Sequence, residues 1–164
     1  MHARRSLRCA PRNFFGLSPG GCGVTHANAL DHVAVVVADL EASQQVYAML
    51  GFGVAYRERV EEQGVDIVGL RAGDTVIELL KPLNAESGIS TFLGDRRSKL
   101  HHIAYRVDDL EAELKRLKSA GVPLIDEKPR RGAHGNRIAF IHPSFSGGTL
   151  IELCQPPERS GSPR

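Results

Sequence analysis

The sequence predicts an α+β fold in which two tandem βαβββ modules join into one curved mixed sheet around a shared cleft. Three observations carry this prediction. Each half opens on a strand-like run that leads into one capped helix. Residues 30–42 align without a gap on residues 100–112, and eight of the thirteen positions are identical. Ile77-Glu78-Leu79 followed by Pro82 recurs as Ile151-Glu152-Leu153 followed by Pro156. Self-similarity at both ends of a unit is the mark of an internal duplication.

The elements follow in order. Residues 30–37 are apolar and β-branched, too short for a stable helix, and read as a buried strand. Asp39 offers an N-cap and Glu41 an acid in the first turn, and Leu40, Val46, Tyr47 and Leu50 are expected on one helix face before Gly51. Strands are expected at 52–60, 65–71 and 75–80, with Gly64 and Gly73-Asp74 as turns. Residues 83–99 form a polar linker with room for a short helix near 89–94. In the second half Leu110, Leu114 and Leu117 mark a helix that ends before Gly121. The modules thus run over 29–82 and 100–156 of a domain at 29–156. Residues 1–28 read as a leader and 157–164, polar and turn-forming, as a disordered tail.

The 164 residues suit one compact body that holds the duplication. Four of the 21 basic residues, Arg4, Arg5, Arg8 and Arg12, lie in a leader that has no acid, leaving 17 basic against 19 acidic residues beyond it. That balance excludes the broad basic surface of a nucleic-acid binder. No apolar run approaches the roughly 20 residues of a membrane-spanning helix. Cys9, Cys22 and Cys154 form no CxxC spacing, which suits a reducing interior. A cytoplasmic location is expected. The leader reads as disordered or as an over-extended start, and its Arg-rich, Ser-containing, acid-free text also weakly resembles a transit peptide to the mitochondrial matrix.

The duplication also points to chemistry. Equivalent positions of two such modules appear twice facing the common cleft, and those kept as the same polar residue are His32 with His102 and Glu78 with Glu152. A lone glutamate in an apolar strand is costly unless compensated. Two of them, each beside a repeated histidine, point to a divalent ion such as Zn²⁺, Ni²⁺, Co²⁺, Mn²⁺ or Fe²⁺. The pairing selects His102 over His101, since adjacent strand residues face opposite sides. Asp39 and Asp109, also repeated, are explained as helix caps. His2 and His26 lie in the leader, and His142 reads as structural.

Residues 30–155 resemble the vicinal oxygen chelate superfamily, which includes glyoxalase I, extradiol dioxygenases and methylmalonyl-CoA epimerases. Leu100-His-His-Ile-Ala, Arg131-Gly-Ala-His-Gly, Phe140-Ile-His-Pro and Gly147-Gly-Thr-Leu-Ile-Glu-Leu are most similar to the epimerases. The resemblance implies the glyoxalase fold, with one divalent ion on His32, Glu78, His102 and Glu152; some epimerases carry Gln where Glu78 stands. It implies inversion at C2 of methylmalonyl-CoA, or of a close acyl-CoA, through a metal-stabilised enolate, with Glu152 as base. The second proton carrier is Glu78 or a metal-bound water, because Ile67 occupies the place where some epimerases have a Glu after Gln-Gly-Val. Lys128, Arg130, Arg131 and His134 are candidates for contacting CoA, although a short basic run also reads as solvated surface and His134 as a turn residue. The alternatives are a glyoxalase I type isomerase of a hemithioacetal and a drug-sequestering binding protein of the same superfamily. A homodimer is expected by the same resemblance.

Overall fold

The computed structural model describes residue 27 and residues 29–157. The readings made of the leader and the tail therefore lie, apart from Ala27 and Pro157, outside the described residues. Among the described residues no helix is long and apolar enough to cross a membrane.

The first module comprises β1 (Ala29–Val37), α1 (Leu40–Met49), β2 (Gly53–Val60), β3 (Val65–Ala72) and β4 (Thr75–Pro82). A connecting α2 (Gly88–Leu93) leads to the second module of β5 (Ser98–Arg106), α3 (Leu110–Ser119), β6 (Arg130–Arg131), β7 (Arg137–Ile141) and β8 (Leu150–Gln155). All eight strands form one curved sheet in the order β2-β3-β4-β1-β5-β8-β7-β6. The order reads as two four-strand modules back to back, joined by the antiparallel pair β1 and β5. Within each module the first and last strands run parallel, β1 with β4 and β5 with β8. The predicted tandem βαβββ fold is the fold observed.

The repeated text makes repeated local structure. The Asp39 carboxylate accepts the Ala42 N–H at 3.0 Å and Asp109 that of Ala112 at 3.0 Å, so each caps its helix in the same way. Gly51 and Gly121 take positive φ at the helix ends (87° and 76°), letting the Phe52 and Val122 N–H groups turn back to the Tyr47 and Leu117 carbonyls.

Alternation along the strands divides the side chains between two faces. On the outer face α3 buries Leu110, Leu114 and Leu117 against Val107, Ala139, Ile141 and Leu153. The same face of the first module packs Val37, Val68, Leu70 and Leu79 under α1. The inner face carries Ala34, Val36, Ile67 and Leu80, covered by Phe92 and Leu93 of α2, and beyond them Ala104, Ile138, Phe140 and Cys154. The polar linker thus does more than connect: its short helix roofs the first module's inner face.

Helix α1 departs from expectation. Leu40 and Tyr47 pack on the sheet, but Val46 and Leu50 are 57% and 66% exposed, and α1 has no buried residue. At roughly 100° per residue Tyr47 lies within roughly 20° of Leu40, whereas Val46 is rotated by roughly 120°. A helix of ten residues touches the sheet along one line, and the two outlying residues miss it.

The contrast between the helices is measurable. Leu114→Ala is expected to lower stability by about 2–5 kcal/mol in urea denaturation, since it removes a buried side chain from a close-packed cluster. Gln45→Ala, at an exposed site of α1, is expected to stay within about 0.5 kcal/mol of wild type.

Candidate metal centre

The register of the central seam brings the two repeated histidines together. His32 lies opposite Ala104 and His102 opposite Ala34. The neighbouring pairings set Glu78 beside Ala34 and Glu152 beside Ala104. Each buried alanine therefore sits between a histidine and a glutamate, and its small side chain leaves room above the sheet for both.

The four side chains are 3–5% exposed and converge on the inner face. His32 Nε2 is 3.1 Å from His102 Nε2 and 3.5 Å from both Glu78 Oε2 and Glu152 Oε1. His102 Nε2 is 3.4 Å from Glu152 Oε2. Donors bound at roughly 2.1 Å to one ion stand roughly 3.0 Å apart at right angles and roughly 3.4 Å at the tetrahedral angle. The observed separations match that span, and two imidazole nitrogens with carboxylate oxygens are a donor set for divalent zinc, cobalt, nickel or manganese. The residues fit a divalent ion. The donor atoms of His32, His102 and Glu152 lie within 4.8 Å of one another, as do those of Asp31, His32 and Cys154. Glu78 joins from the side, through His32.

Each histidine is held from behind. Asp31 Oδ1 is 3.0 Å from His32 Nδ1, and Arg106 grips the other Asp31 oxygen at 2.7 and 3.0 Å. At the equivalent place in the second module His101 Nδ1 lies 2.8 Å from His102 Nδ1. His101 does not point into the metal pocket, yet it does not turn wholly away either; it backs His102 as Asp31 backs His32. Such outer contacts fix ring orientation and tautomer. The Tyr56 hydroxyl donates to Glu78 Oε1. Asp31, Arg106 and Tyr56 escape a search for repeated polar residues because they act through the repeated ones.

The charges fit a place for a cation. Burial would lower the His32 imidazole, but its hydrogen bond to Asp31 and the carboxylates of Glu78 and Glu152 outweigh it and raise the pKa to about 9. Burial pushes the Glu152 carboxyl up to about 8. His102 is held well below the usual range by burial and by its neighbours His32 and His101. Burial likewise drives His101 down to about 4.

Around the four residues the pocket is lined by Gln63, Ile67, Leu80, Ala133, Asn136 and Ile138. A larger cavity of about 600 Å³, walled by Tyr56, Arg71, Arg106 and His134, shares Asn136 with it. Ile67 is apolar and buried, so no carboxylate reaches the pocket from β3.

The residues expected to meet CoA do not form one cluster. Lys128 lines a groove against α3 on the outer side. Arg130 bonds Asp126 at 3.2 Å and stands 5.1 Å from the Phe140 ring. Arg131 is exposed, its carbonyl accepting from Gln63. His134 stacks on Tyr56 at 4.5 Å between centroids.

Residues 31–140 match the Glyoxalase/Bleomycin resistance protein/Dioxygenase superfamily. The chain is 40% identical over 129 residues to the ethylmalonyl-CoA/methylmalonyl-CoA epimerase of Cereibacter sphaeroides, covering 77% of this chain and 96% of that one. It is 37% identical over 139 residues to the mitochondrial methylmalonyl-CoA epimerase of Bos taurus, covering 84% and 79%. Among solved structures, a variant of the Streptomyces coelicolor methylmalonyl-CoA epimerase in complex with 2-nitronate-propionyl-CoA superposes with a TM-score of 0.75 at 33% identity, covering 80% of this chain and 99% of that one. With its doubled module and its paired His/Glu residues, the chain belongs to the Glyoxalase/Bleomycin resistance protein/Dioxygenase superfamily and, within it, to the methylmalonyl-CoA epimerases.

Proposed function

We propose that the chain inverts C2 of methylmalonyl-CoA, or of a close malonyl-type thioester, with His32, Glu78, His102 and Glu152 holding one zinc, cobalt, nickel or manganese ion. One observation carries the reading: buried nitrogen and oxygen donors from both modules meet on the inner face at ion-like spacing. The epimerase relatives support the substrate, and the ligand of the Streptomyces relative carries a nitronate, a planar anion of an enolate's shape.

A bound divalent ion would supply Lewis acidity toward the thioester and carboxylate oxygens, making the C2 hydrogen acidic. The chain's own residues handle the proton. The Glu152 carboxylate, buried 3.4–3.5 Å from both imidazoles, takes the hydrogen from C2. The electron pair left behind delocalises onto the thioester oxygen. Glu78, arriving from the other module, or a water beside it delivers a proton to the opposite face, and C2 is restored with inverted configuration. Glu152 then loses, and this second carrier regains, one proton through water in the cleft. Gln63 and Asn136 line the pocket with amides that donate to the substrate carboxylate. Arg130 and Arg131, at the base of the loop that carries His134, meet CoA phosphates; Lys128 lines the α3 groove.

In D₂O with a divalent ion, the protein is expected to place deuterium at C2 of methylmalonyl-CoA and to leave a glutathione hemithioacetal unchanged. Absence of C2 exchange removes the epimerase reading. Glu152→Gln is expected to slow exchange by about 10²–10⁴, and exchange near wild type would exclude Glu152 as the base.

The protons also set a pH dependence. The native pKa values of His32 and Glu152, about 9 and about 8, exceed the ordinary 6.5 and 4.5, so the folded metal-free protein binds more protons than the unfolded chain. Stability therefore falls as pH rises through that window. The melting temperature of metal-free protein is expected to drop from about pH 6.5 to about pH 9; below that range the depressed His101 and His102 pull the other way. Stabilisation by added zinc or cobalt should grow over the same range, because the ion displaces the two protons. A flat metal-free profile would refute the protonated pair.

We also infer a homodimer, supported by Val46 and Met49 at the end of α1 and Leu50 just after it, which are 57%, 83% and 66% exposed. Sedimentation velocity is expected to give a dimer that Met49→Glu dissociates. A wild-type monomer would end this reading.

A further inference from the structure

Tyr56 belongs to β2, the edge strand of the first module, yet its hydroxyl reaches Glu78 two strands away. The route lies over Gly69. That glycine pairs with Glu78 in the β3–β4 register, and a Cβ added to it would collide with the Tyr56 ring. The absence of a side chain at Gly69 therefore makes the seat in which the tyrosine lies.

The other face of the ring is covered by the second module. His134 stacks on it with centroids 4.5 Å apart and planes 22° from parallel. To do so His134 adopts φ 60°, the left-handed region, and among the described residues no other non-glycine residue does this. Its N–H is tied to Glu58 Oε2 at 2.7 Å, and Gln63 Nε2 reaches the Arg131 carbonyl at 3.4 Å. Gly132 of the same loop lies so close to Ile138 that an added Cβ would clash at 2.6 Å. The loop is thus pinned at both ends over the tyrosine.

From this geometry we propose that Tyr56 is a positioning residue for Glu78, clamped between Gly69 and His134 so that one carboxylate oxygen is held and the other faces His32. The inference rests on the reading that Glu78 contributes to a metal site. His134, on this view, acts on the ligand set through Tyr56 instead of by gripping CoA. Glu78 stands at the side of the His32, His102 and Glu152 group, and it needs such a hold more than they do. A carboxylate free to rotate would spend less time presenting an oxygen to the ion, and loss of an outer contact of this kind costs 10- to 100-fold in metal affinity.

The test is a cobalt(II) titration of the full chain, read by visible absorption, on wild type and on Tyr56→Phe, His134→Ala, Glu78→Ala and Tyr47→Phe. Tyr56→Phe is expected to weaken cobalt binding about 10- to 100-fold and to shift the ligand-field bands. His134→Ala should move both in the same direction by less, and its exposed loop keeps the measurement available should Tyr56→Phe fold poorly. Tyr47, stacked on Phe52 under α1, is the control and should leave both unchanged. If Glu78→Ala loses cobalt while Tyr56→Phe and His134→Ala match wild type in affinity and spectrum, the positioning role is overturned and the metal reading stands. If Glu78→Ala also matches wild type, Glu78 is no ligand, and both the reading and the inference fall.

Discussion

The site depends on the antiparallel pairing of β1 with β5. Their register puts Ala104 across from His32 and Ala34 across from His102, so both imidazoles rise from one face along a diagonal. Side chains alternate along a strand, and a slip of one residue would send His102 to the outer face and bring His101 or Ile103 inward. The hydrophobic pattern guards against that slip. The outer-face residues of the two strands pack beneath the helices, and a shifted register would expose them while burying Arg106 or Lys99. Core packing and site geometry are therefore one constraint.

The duplication supplies the pairs, and the differences between the modules give the site its direction. Glu78 pairs with Gly69 and Glu152 with Phe140 at equivalent places in the two halves of the sheet. In the first module the missing side chain admits Tyr56, which holds Glu78 by a hydrogen bond. In the second, the Phe140 ring stands at that place and packs against His102 at 5.2 Å, and burial raises the Glu152 pKa to about 8. One carboxylate is oriented and the other is basic. An exact repeat would have made them equivalent.

Much of this was legible in the sequence, because a duplication prints its own structural comparison. The pairing of residues 30–42 with 100–112 predicted both first strands, both aspartate caps and the choice of His102 over His101 as the partner of His32. The Ile-Glu-Leu repeat predicted two carboxylates at matching heights. What the sequence did not disclose lies where the repeat is silent. Asp31 and His101 do the same work with different chemistry, so identity between the halves could not flag them. Tyr56, Gly69 and His134 meet across long separations with no local pattern. The direction of Lys128 depended on the path of a loop with no counterpart in the first module. The outlying apolar residues of α1 could not be told from a core face by composition, since that depends on how much of a short helix the sheet touches.

A site of approximate twofold origin suits inversion at a carbon for a reason deeper than the identity of the groups. Epimerisation needs a proton taken from one face and returned to the other, so the acid and the base must approach the same atom from opposite sides. Two modules related across β1 and β5 bring their last strands to either side of the seam, Glu78 beside Ala34 and Glu152 beside Ala104. The two carboxylates thus begin on opposed approaches, with the histidines between them. Holding them there unpaired would be costly, because two buried carboxylates repel and lose their hydration. In the metal-free protein the protons on His32 and Glu152 offset that cost. A divalent ion would offset it with charge that does not dissociate as pH rises, and it would free Glu152 of the proton that it must lack to act as a base. On that reading, one ion would both stabilise the buried carboxylates and supply the Lewis acidity.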